Sequence, residues 1–423
     1  MDFKEYSGYI DLLHEELVPA LGCTEPISIA YASSVLSKTL GGLPEELTVL
    51  CSGGIIKNAQ GVTVPNSGGK KGIEVAAVLG ALGGNADKKL EVLSSITEED
   101  IQKADKLIGN HYCKIGIIEG DLDFHIIVKG SKKGDEAEVE ISGNHTNIVK
   151  LEKNGRCLLN GINKSEKHIP KRKTDFITLK GIYNFANTVS VSDISNLLNN
   201  QINSNIRISK EGLNGKYGAS IGKTLLNRYG DDIIVRAKAM TAAAIDARMS
   251  GCELPVVINS GSGNQGIAVS IPVIEYWLEL GLEKDKLYRA LVISNLVSIY
   301  IKSKIGELSA FCGTVSAACG SGAGITFLHG GNYQQIGNTI INILANVSGI
   351  ICDGAKPSCA AKVASTVDAA ILAHTMSMDG KVFGNGEGIV KSDVEETIES
   401  IGRLAREGMI ETDIEILNIM LDN

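Results

Sequence analysis

The chain has 423 residues, a formal net charge of −8, and 43% hydrophobic and 21% charged residues. This length exceeds that of one typical domain, so we expect one large or two medium-sized domains. The acidic balance and the lack of a dense Lys/Arg block argue against nucleic-acid binding. The nearest basic run, at residues 168–173, is short and is interpreted as a surface loop.

The sequence predicts a cytoplasmic chain without a membrane partner. It contains no window of about 18 uninterrupted apolar residues. The N-terminus is polar and acidic and lacks the apolar stretch that export requires. The nine cysteines are therefore expected to be reduced thiols or metal ligands, because disulfides are rare in that compartment.

The first 95 residues are predicted to be mainly helical. Residues 6–17 carry apolar side chains at helical spacing. Thr24-Glu25-Pro26 is typical of a helix start with Thr24 as N-cap, and Gly41-Gly42 would end that helix. Residues 73–82 predict a further short helix.

The pattern changes to that of β-strands between residues 96 and 175. Strands are predicted at 112–118, 123–129 and 136–142, followed by a hairpin within 148–159. Helical patterns return from residue 176 onwards. We therefore expect an α+β fold that is mainly α, with residues 1–95 and 176–423 forming a Gly/Ala-rich helical domain and residues 96–175 a smaller inserted α+β domain.

Four cysteines of the last third are candidate metal ligands. Cys352 and Cys359 stand at the two ends of a Gly/Pro-containing loop, which would let two thiolates converge. Three cysteine ligands on a four-iron cluster would keep one iron free for substrate. Cys319 would share a helix face with Cys312 and is a reserve ligand. Alternatively, each cysteine is a buried small hydrophobe, and their spacing matches no short zinc or ferredoxin pattern.

Cys23 precedes the helix that is predicted to start at Thr24. The positive end of a helix lowers a thiol pKa, so we expect a thiolate near neutral pH that could act as a general base. The alternative is a buried cysteine at a tight turn.

Glycine-rich segments before predicted helices indicate backbone-built anion sites. Two such segments and a turn at a strand edge supply the candidate substrate-binding residues: Ser52, Gly53, Lys57, Asn58, His145, Thr146, Ser262, Gly263 and Asn264. Plain loop chemistry is the alternative, since Gly-rich loops are common, and a lone histidine in a turn is more often structural. None of the segments completes a Walker A or a dinucleotide fingerprint.

Four motifs together resemble the L-cysteine desulfidase family, which is related to the α part of iron–sulfur L-serine dehydratases. They are Gly22-Cys23-Thr24-Glu25-Pro26, Ser262-Gly263-Asn264-Gln265-Gly266, Phe311-Cys312-Gly313, and Cys352-Asp353-Gly354-Ala355-Lys356 with Cys359. The resemblance extends from Gly22 to the C-terminal helices. It implies that the helical domain is the catalytic one.

The resemblance also implies a reaction and a cofactor. The reaction is conversion of L-cysteine to pyruvate, ammonia and hydrogen sulfide, without pyridoxal phosphate. The cofactor is an oxygen-labile [4Fe–4S] cluster whose three cysteine ligands match Cys312, Cys352 and Cys359, with one open iron. Cys23 matches the proposed proton acceptor, and Ser262 stands where the dehydratases have asparagine. A small amino-acid substrate is the expected partner, and a homodimer remains open.

Three alternatives remain open at this point. The first is L-serine dehydration, since serine and cysteine differ only in the leaving atom. The second is a non-catalytic thiol or metal-binding protein, such as a structural zinc protein with Cys312, Cys319, Cys352 and Cys359 as ligands. The third is a pyridoxal-phosphate lyase, for which Lys356 beside Pro357 is the lysine to consider, in an unconvincing setting.

Overall fold

The expected α+β, mainly α fold is confirmed by a computed structural model that describes residues 3–119, 124–160, 174–306 and 308–422. The basic run at 168–173 lies outside the described residues. The helices are α1 (Phe3–Glu16), α2 (Thr24–Leu40), α3 (Gly53–Ala59), α4 (Ile73–Gly83), α5 (Glu98–Gly109), α6 (Leu179–Thr188), α7 (Val191–Asn214), α8 (Ile221–Tyr229), α9 (Ile233–Met249), α10 (Gly263–Leu280), α11 (Lys284–Ile305), α12 (Gly313–Leu328), α13 (Tyr333–Val347), α14 (Cys359–Met378), α15 (Val394–Arg403) and α16 (Ile410–Leu421).

The strands are β1 (Pro19–Ala20), β2 (Glu46–Cys51), β3 (Cys113–Ile117), β4 (His125–Lys132), β5 (Asp135–Ser142), β6 (Ile148–Lys153), β7 (Arg156–Asn160) and β8 (Val256–Val257). Six of them form one mixed sheet in the order β3-β2-β4-β5-β6-β7. Only the β2–β3 pair is parallel within that sheet.

Strand β2 was missed in the first 95 residues, although its sequence carries the signal. Leu47, Val49 and Cys51 are buried and alternate with more exposed positions, which is the period of a strand with one covered face. The strand joins the sheet between β3 and β4, and helix α2 packs against β4 and β5. The division into a helical domain and an inserted domain at residues 96–175 stays a prediction.

Helix α12 lies at the centre of the helical part, between α10, α11, α13 and α14. From Thr314 to Leu328 every residue of this helix is buried. A Cβ atom at Gly320 would overlap with the carbonyl oxygen of Ser294 on α11. The glycine and alanine content of the sequence thus lets helix backbones approach closely.

A two-residue ladder fixes the N-terminal segment to the helical part. Pro19 and Ala20 of β1 pair antiparallel with Val257 and Val256 of β8. Because the pair is antiparallel, the chain leaves the two strands at opposite ends of the ladder. Gly22 after β1 and Asn264 at the start of α10 are linked instead by hydrogen bonds from Arg248. Among the described residues, no helix is long and apolar enough to cross a membrane.

Candidate active site

Cys312 and Cys352 are adjacent because their chain segments form a short antiparallel bridge. Phe311 pairs with Ile351. The amide of Cys312 donates to the carbonyl of Ile350 over 3.1 Å, and the amide of Cys352 donates to that of Ala310 over 2.7 Å. Two cysteines that are 40 positions apart in sequence are therefore held side by side by backbone hydrogen bonds.

The loop between Cys352 and Cys359 folds back around the second sulfur. The amide of Lys356 donates to the Cys359 Sγ over 3.4 Å, and that thiol approaches the carbonyl of Gly354 at 3.6 Å. The Lys356 ammonium donates to the carbonyls of Lys57 and Gln60, at 3.0 and 3.1 Å, and so fastens the loop to α3. These hydrogen bonds fix the position of the loop and of the Cys359 sulfur.

All three candidate ligands line one cavity of about 100 Å³. Its remaining walls come from the loop before α10, the start of α2, α3, the end of α9, α11 and two loops at the edge of the sheet, before β4 and after β5. The lining residues are Thr24, Glu25, Asn58, Phe124, His145, Arg248, Ser260, Gly261, Ser262, Asn264, Gln265, Lys302, Leu308, Ser309, Phe311, Cys312, Gly313, Thr314, Cys352, Gly354, Ala355 and Cys359.

Four helices direct their N-termini at this cavity. Their N-cap or first-turn residues are among its walls: Thr24 and Glu25 of α2, Ser262 and Asn264 of α10, Cys312 and Gly313 of α12, and Cys359 of α14. Each N-terminus carries a partial positive charge of about half an elementary unit. The cavity therefore favours anions, such as thiolates and a substrate carboxylate.

The Cys312–Cys352 pair is electrostatically polarised. A hydrogen bond between the two sulfurs raises the pKa of Cys312 and lowers the pKa of Cys352. The charge of Lys57 lowers the Cys352 pKa further, against the effect of burial. Burial raises the pKa of Cys359, and the hydrogen bond from the Lys356 amide lowers it in part. Because metals bind thiolates, a pair in which the neighbouring thiol and Lys57 favour one deprotonated sulfur is suited to ligate a metal.

Cys23 does not have the low pKa that the helix-terminus argument predicted. The residue is the N-cap of α2, in place of Thr24, and is 1% exposed. Burial raises its pKa to about 11, while the charge of Arg248 lowers it and that of Glu25 raises it. Desolvation of a fully buried thiolate thus outweighs the helix end. Cys23 does not line the cavity, although it is close enough to interact electrostatically with Cys359.

Among the described residues, no three His, Cys, Asp or Glu side chains surround a point that a single metal ion would occupy. The donor set nevertheless fits an iron–sulfur cluster, because each thiolate of a cluster binds a different iron and need not converge on one point. Backbone amides that donate to sulfur, as Lys356 does to Cys359, are typical of such sites.

Cys319 is separated from the three thiols. It is fully buried in α12, and burial raises its pKa. It does not line the cavity, because the α12 face that holds it packs into the helical core. The structure therefore does not support a four-thiolate site that includes Cys319.

Four of the nine predicted substrate-binding residues line the cavity, and five do not. The lining ones are Asn58, His145, Ser262 and Asn264, and the others are Ser52, Gly53, Lys57, Thr146 and Gly263. Ser52 instead accepts a hydrogen bond from the amide of His125 at 3.3 Å, and the buried Lys57 ammonium forms an ion pair with Asp413 of α16.

His145 connects the sheet to the helical part at the cavity. Its ring contacts Phe124 edge-on at a centroid distance of 4.7 Å. On its other side lies Gly261, where a Cβ atom would be 2.7 Å from the His145 Cε1. Gly261 has φ +75°, so this close approach and the backbone conformation both require glycine. Ser28 of α2 donates to the His145 carbonyl.

Arg248 is the main site residue that the sequence analysis missed. It lies in the last turn of α9 and is 3% exposed. Its Nη1 donates to Asn264 Oδ1 at 2.8 Å and its Nη2 to the carbonyl of Gly22 at 2.7 Å, so it links three chain segments. The sequence feature that could have identified Arg248 is its charge within the Ala-rich stretch 237–249, where a buried helix is expected. Lys302, within the apolar α11, carried a similar signal.

Comparison with known proteins identifies the family. The sequence profile described as "Serine dehydratase alpha chain" matches residues 87–418. The chain belongs to this family. The matched residues include all three cavity cysteines and the loop before α10, so the family extends over most of the site.

Close relatives cover the full chain and are named UPF0597 proteins. One from Lachnoclostridium phytofermentans is 52% identical over 419 residues, which are 99% of this chain and 100% of the relative. One from Desulfitobacterium hafniense is 46% identical, over 99% and 97% of the two chains. One from Bacteroides fragilis is 41% identical, over 99% of each.

Proposed function

We propose that the protein is an oxygen-sensitive iron–sulfur lyase that eliminates the β-substituent of L-cysteine, giving pyruvate, ammonia and hydrogen sulfide. One observation carries the proposal: Cys312, Cys352 and Cys359 line a single cavity at which four helix N-termini meet. Membership of the serine dehydratase alpha chain family supports a lyase reaction.

The three thiolates would hold a [4Fe–4S] cluster through three of its irons. When bound, such a cluster supplies a Lewis acid that binds the substrate and stabilises the charge that develops on the leaving sulfur. The chain supplies the anion-binding helix ends, which hold the substrate carboxylate. A cluster that oxygen destroys requires a reducing compartment, so the proposal includes a cytoplasmic location.

The reaction breaks the α-carbon–hydrogen bond and the β-carbon–sulfur bond of the substrate and forms a carbon–carbon double bond. The sulfur leaves with a proton as hydrogen sulfide. The resulting aminoacrylate becomes an imine, and water hydrolyses it to pyruvate and ammonia. Phe124, Phe311 and Ala355 provide apolar surface in the cavity that limits the access of water to the reacting carbons.

The proton acceptor in this proposal is the Cys23 sulfur. Since Cys23 is not among the cavity-lining residues and burial raises its pKa, the role requires that the thiol is uncovered and deprotonated when the substrate binds. Arg248 and Lys356 supply positive charge near it and oppose the effect of burial on its pKa. Cys23→Ala is expected to lower the elimination rate by about 10²- to 10⁴-fold while iron and sulfide contents stay unchanged. Cys51→Ala is the matched control, because Cys51 is equally buried and lies in β2, away from the cavity. A Cys23→Ala protein with full activity would exclude this role.

L-serine is the second candidate substrate, since the family is named for serine dehydration. Anaerobically reconstituted protein should be supplied with each amino acid in turn, with pyruvate measured in both cases and sulfide with L-cysteine. A higher kcat/KM for L-cysteine supports the proposal. A higher kcat/KM for L-serine would show that the protein is a serine dehydratase instead. The absence of product from both amino acids would refute the lyase function.

A further inference from the structure

We propose that Arg248 and Gln265 form the subsite that recognises the α-carboxylate and the α-ammonium group of the substrate. This inference rests on the proposed function and deepens it. It names the side chains that would restrict the cavity to free α-amino acids, whatever their β-substituent.

The Arg248 guanidinium is buried, fixed and incompletely satisfied. Two of its nitrogens donate to Asn264 and to Gly22, as described above. Its Nε has no hydrogen-bond partner among the described residues. Arginine stays protonated in proteins, and a buried donor without a partner is costly. A carboxylate in the cavity would supply the missing acceptor, with the geometry already set by the two existing bonds.

No ion pair to Arg248 is formed within the described part of the chain. The Glu25 carboxylate, which also lines the cavity, accepts a hydrogen bond from Thr24 instead, at 3.1 Å. Burial raises the pKa of Glu25 and the charge of Arg248 lowers it, so the two groups interact without contact. The positive charge of Arg248 is therefore available to a ligand anion.

Gln265 offers the complementary group. It lies in the first turn of α10, is 5% exposed and lines the cavity. Its Oε1 accepts no hydrogen bond from any described residue. A Cβ atom at Gly313 would be 2.7 Å from the Gln265 Cδ, so the amide is held against the start of α12, next to Cys312. An unsatisfied acceptor there suits an ammonium donor.

Both groups adjoin the first turn of α10. Gly263 packs so closely against the Arg248 guanidinium that a Cβ atom would overlap with its Nε, and Gln265 follows two residues later. An α-amino acid carries its carboxylate and ammonium on one carbon and can satisfy both side chains at once. A ligand with only one of these groups leaves the other side chain unsatisfied, which is the basis of strong discrimination.

L-alanine tests this recognition apart from catalysis, because it has no β-substituent to eliminate. Calorimetric titration of anaerobically reconstituted protein with L-alanine, propionate and ethylamine should give at least about tenfold tighter binding of L-alanine. Arg248→Gln should weaken the binding of L-alanine about ten- to hundredfold, so that L-alanine no longer binds more tightly than ethylamine. In the Gln265→Leu protein, L-alanine should no longer bind more tightly than propionate.

Controls separate recognition from folding. Arg207→Gln and Gln334→Leu change exposed residues of α7 and α13 and should leave the three affinities unchanged. Should Arg248→Gln fail to fold, Arg248→Lys, which keeps the charge but not the fixed fork, and Gln265→Leu carry the test. Folded variants with unaltered preferences, or wild-type protein that does not prefer L-alanine, would overturn the inference.

The inference and the proposed function fail separately. If L-alanine binds with the expected preferences but L-cysteine and L-serine are not eliminated, the subsite stands and the lyase function is refuted. If L-cysteine is eliminated and Arg248→Gln leaves KM unchanged, the lyase function stands and the subsite is refuted.

Discussion

Gly354 packs directly against the backbone carbonyl of Lys57, and a Cβ atom at position 354 would overlap with that oxygen. Gly354 also has φ +90°, a conformation that side chains with a Cβ atom rarely adopt. The contact holds the loop between Cys352 and Cys359 against α3. The geometry of two of the three candidate ligands thus depends on one glycine.

Gly354→Ala is expected to displace this loop and to destabilise the protein by at least about 2 kcal/mol, because the strain of positive φ adds to a backbone clash. Urea unfolding measures the stability, and iron content after reconstitution measures the site. Gly349→Ala is the matched control, since Gly349 has ample space and no positive φ. Equal behaviour of the two variants would show that the loop tolerates a Cβ atom.

The ion pair between Lys57 and Asp413 connects α3 to α16, with side-chain exposures of 2% and 12%. Asp413→Asn leaves a buried ammonium without its carboxylate and should cost about 3 kcal/mol in unfolding free energy. The double variant Lys57→Met/Asp413→Leu should recover most of that loss. A neutral effect of Asp413→Asn would contradict the importance of the pair.

The more exposed Lys238–Asp368 pair between α9 and α14 serves as the control for this experiment. Asp368→Asn should change the unfolding free energy by less than about 1 kcal/mol, because solvent screens surface ion pairs.

Buried His374 is expected to make the protein less stable in mild acid. It is buried, its Nδ1 lies 3.0 Å from the Thr326 hydroxyl, and its ring lies 4.5 Å from that of His329, the C-cap residue of α12. Burial, and then the charge of His329, lowers its pKa to about 4. The unfolded chain binds this proton near pH 6.5 and the folded chain only near pH 4. The stability is therefore complete above pH 6.5 and should fall by about 3 kcal/mol as the pH drops to 4.

His374→Gln should flatten this dependence, which urea unfolding between pH 7 and 4 measures. His14→Gln, at an exposed position of α1, should leave the slope unchanged. Since Tyr276 of α10 packs against His329, a variant at His329 is a further comparison. The same slope in the His374→Gln protein would contradict the role of His374.

The three cavity cysteines should differ from Cys319 in iron binding. Replacement of Cys312, Cys352 or Cys359 by serine should lower iron affinity by more than about tenfold, as loss of a thiolate ligand requires. Cys319→Ala should retain iron, because Cys319 lies in the helical core. Iron and acid-labile sulfide analysis decides between these outcomes, and iron loss only with Cys319→Ala would contradict the ligand set.

The sequence predicted most long elements because their patterns are local. The helix that ends at Gly41 and the hairpin of β4 and β5 follow from capping glycines and alternating apolar residues. The bridge between Phe311 and Ile351 could not be predicted, since it pairs residues 40 positions apart through backbone groups. The identity of the cysteine trio came from resemblance, as the spacing alone matches no short motif.

Burial explains the remaining differences between sequence and site. The helix end beside Cys23 is visible in the sequence and predicts a lowered pKa, but the desolvation that raises the pKa to about 11 is not. Lys57 was interpreted as a ligand for substrate, yet its partner is Asp413 of α16, 356 residues away. The hydrogen bonds of Arg248 form only in the folded protein, where α9 lies beside α10 and Gly22. Each of these depends on tertiary contacts that no local pattern encodes.

The decisive experiment is Mössbauer spectroscopy of anaerobically reconstituted protein, with and without L-cysteine. Three thiolate ligands and one open iron predict a four-iron cluster in which about a quarter of the iron signal shifts when L-cysteine is added. Iron signals that L-cysteine leaves unchanged, or a protein that takes up zinc and no acid-labile sulfide, would contradict it.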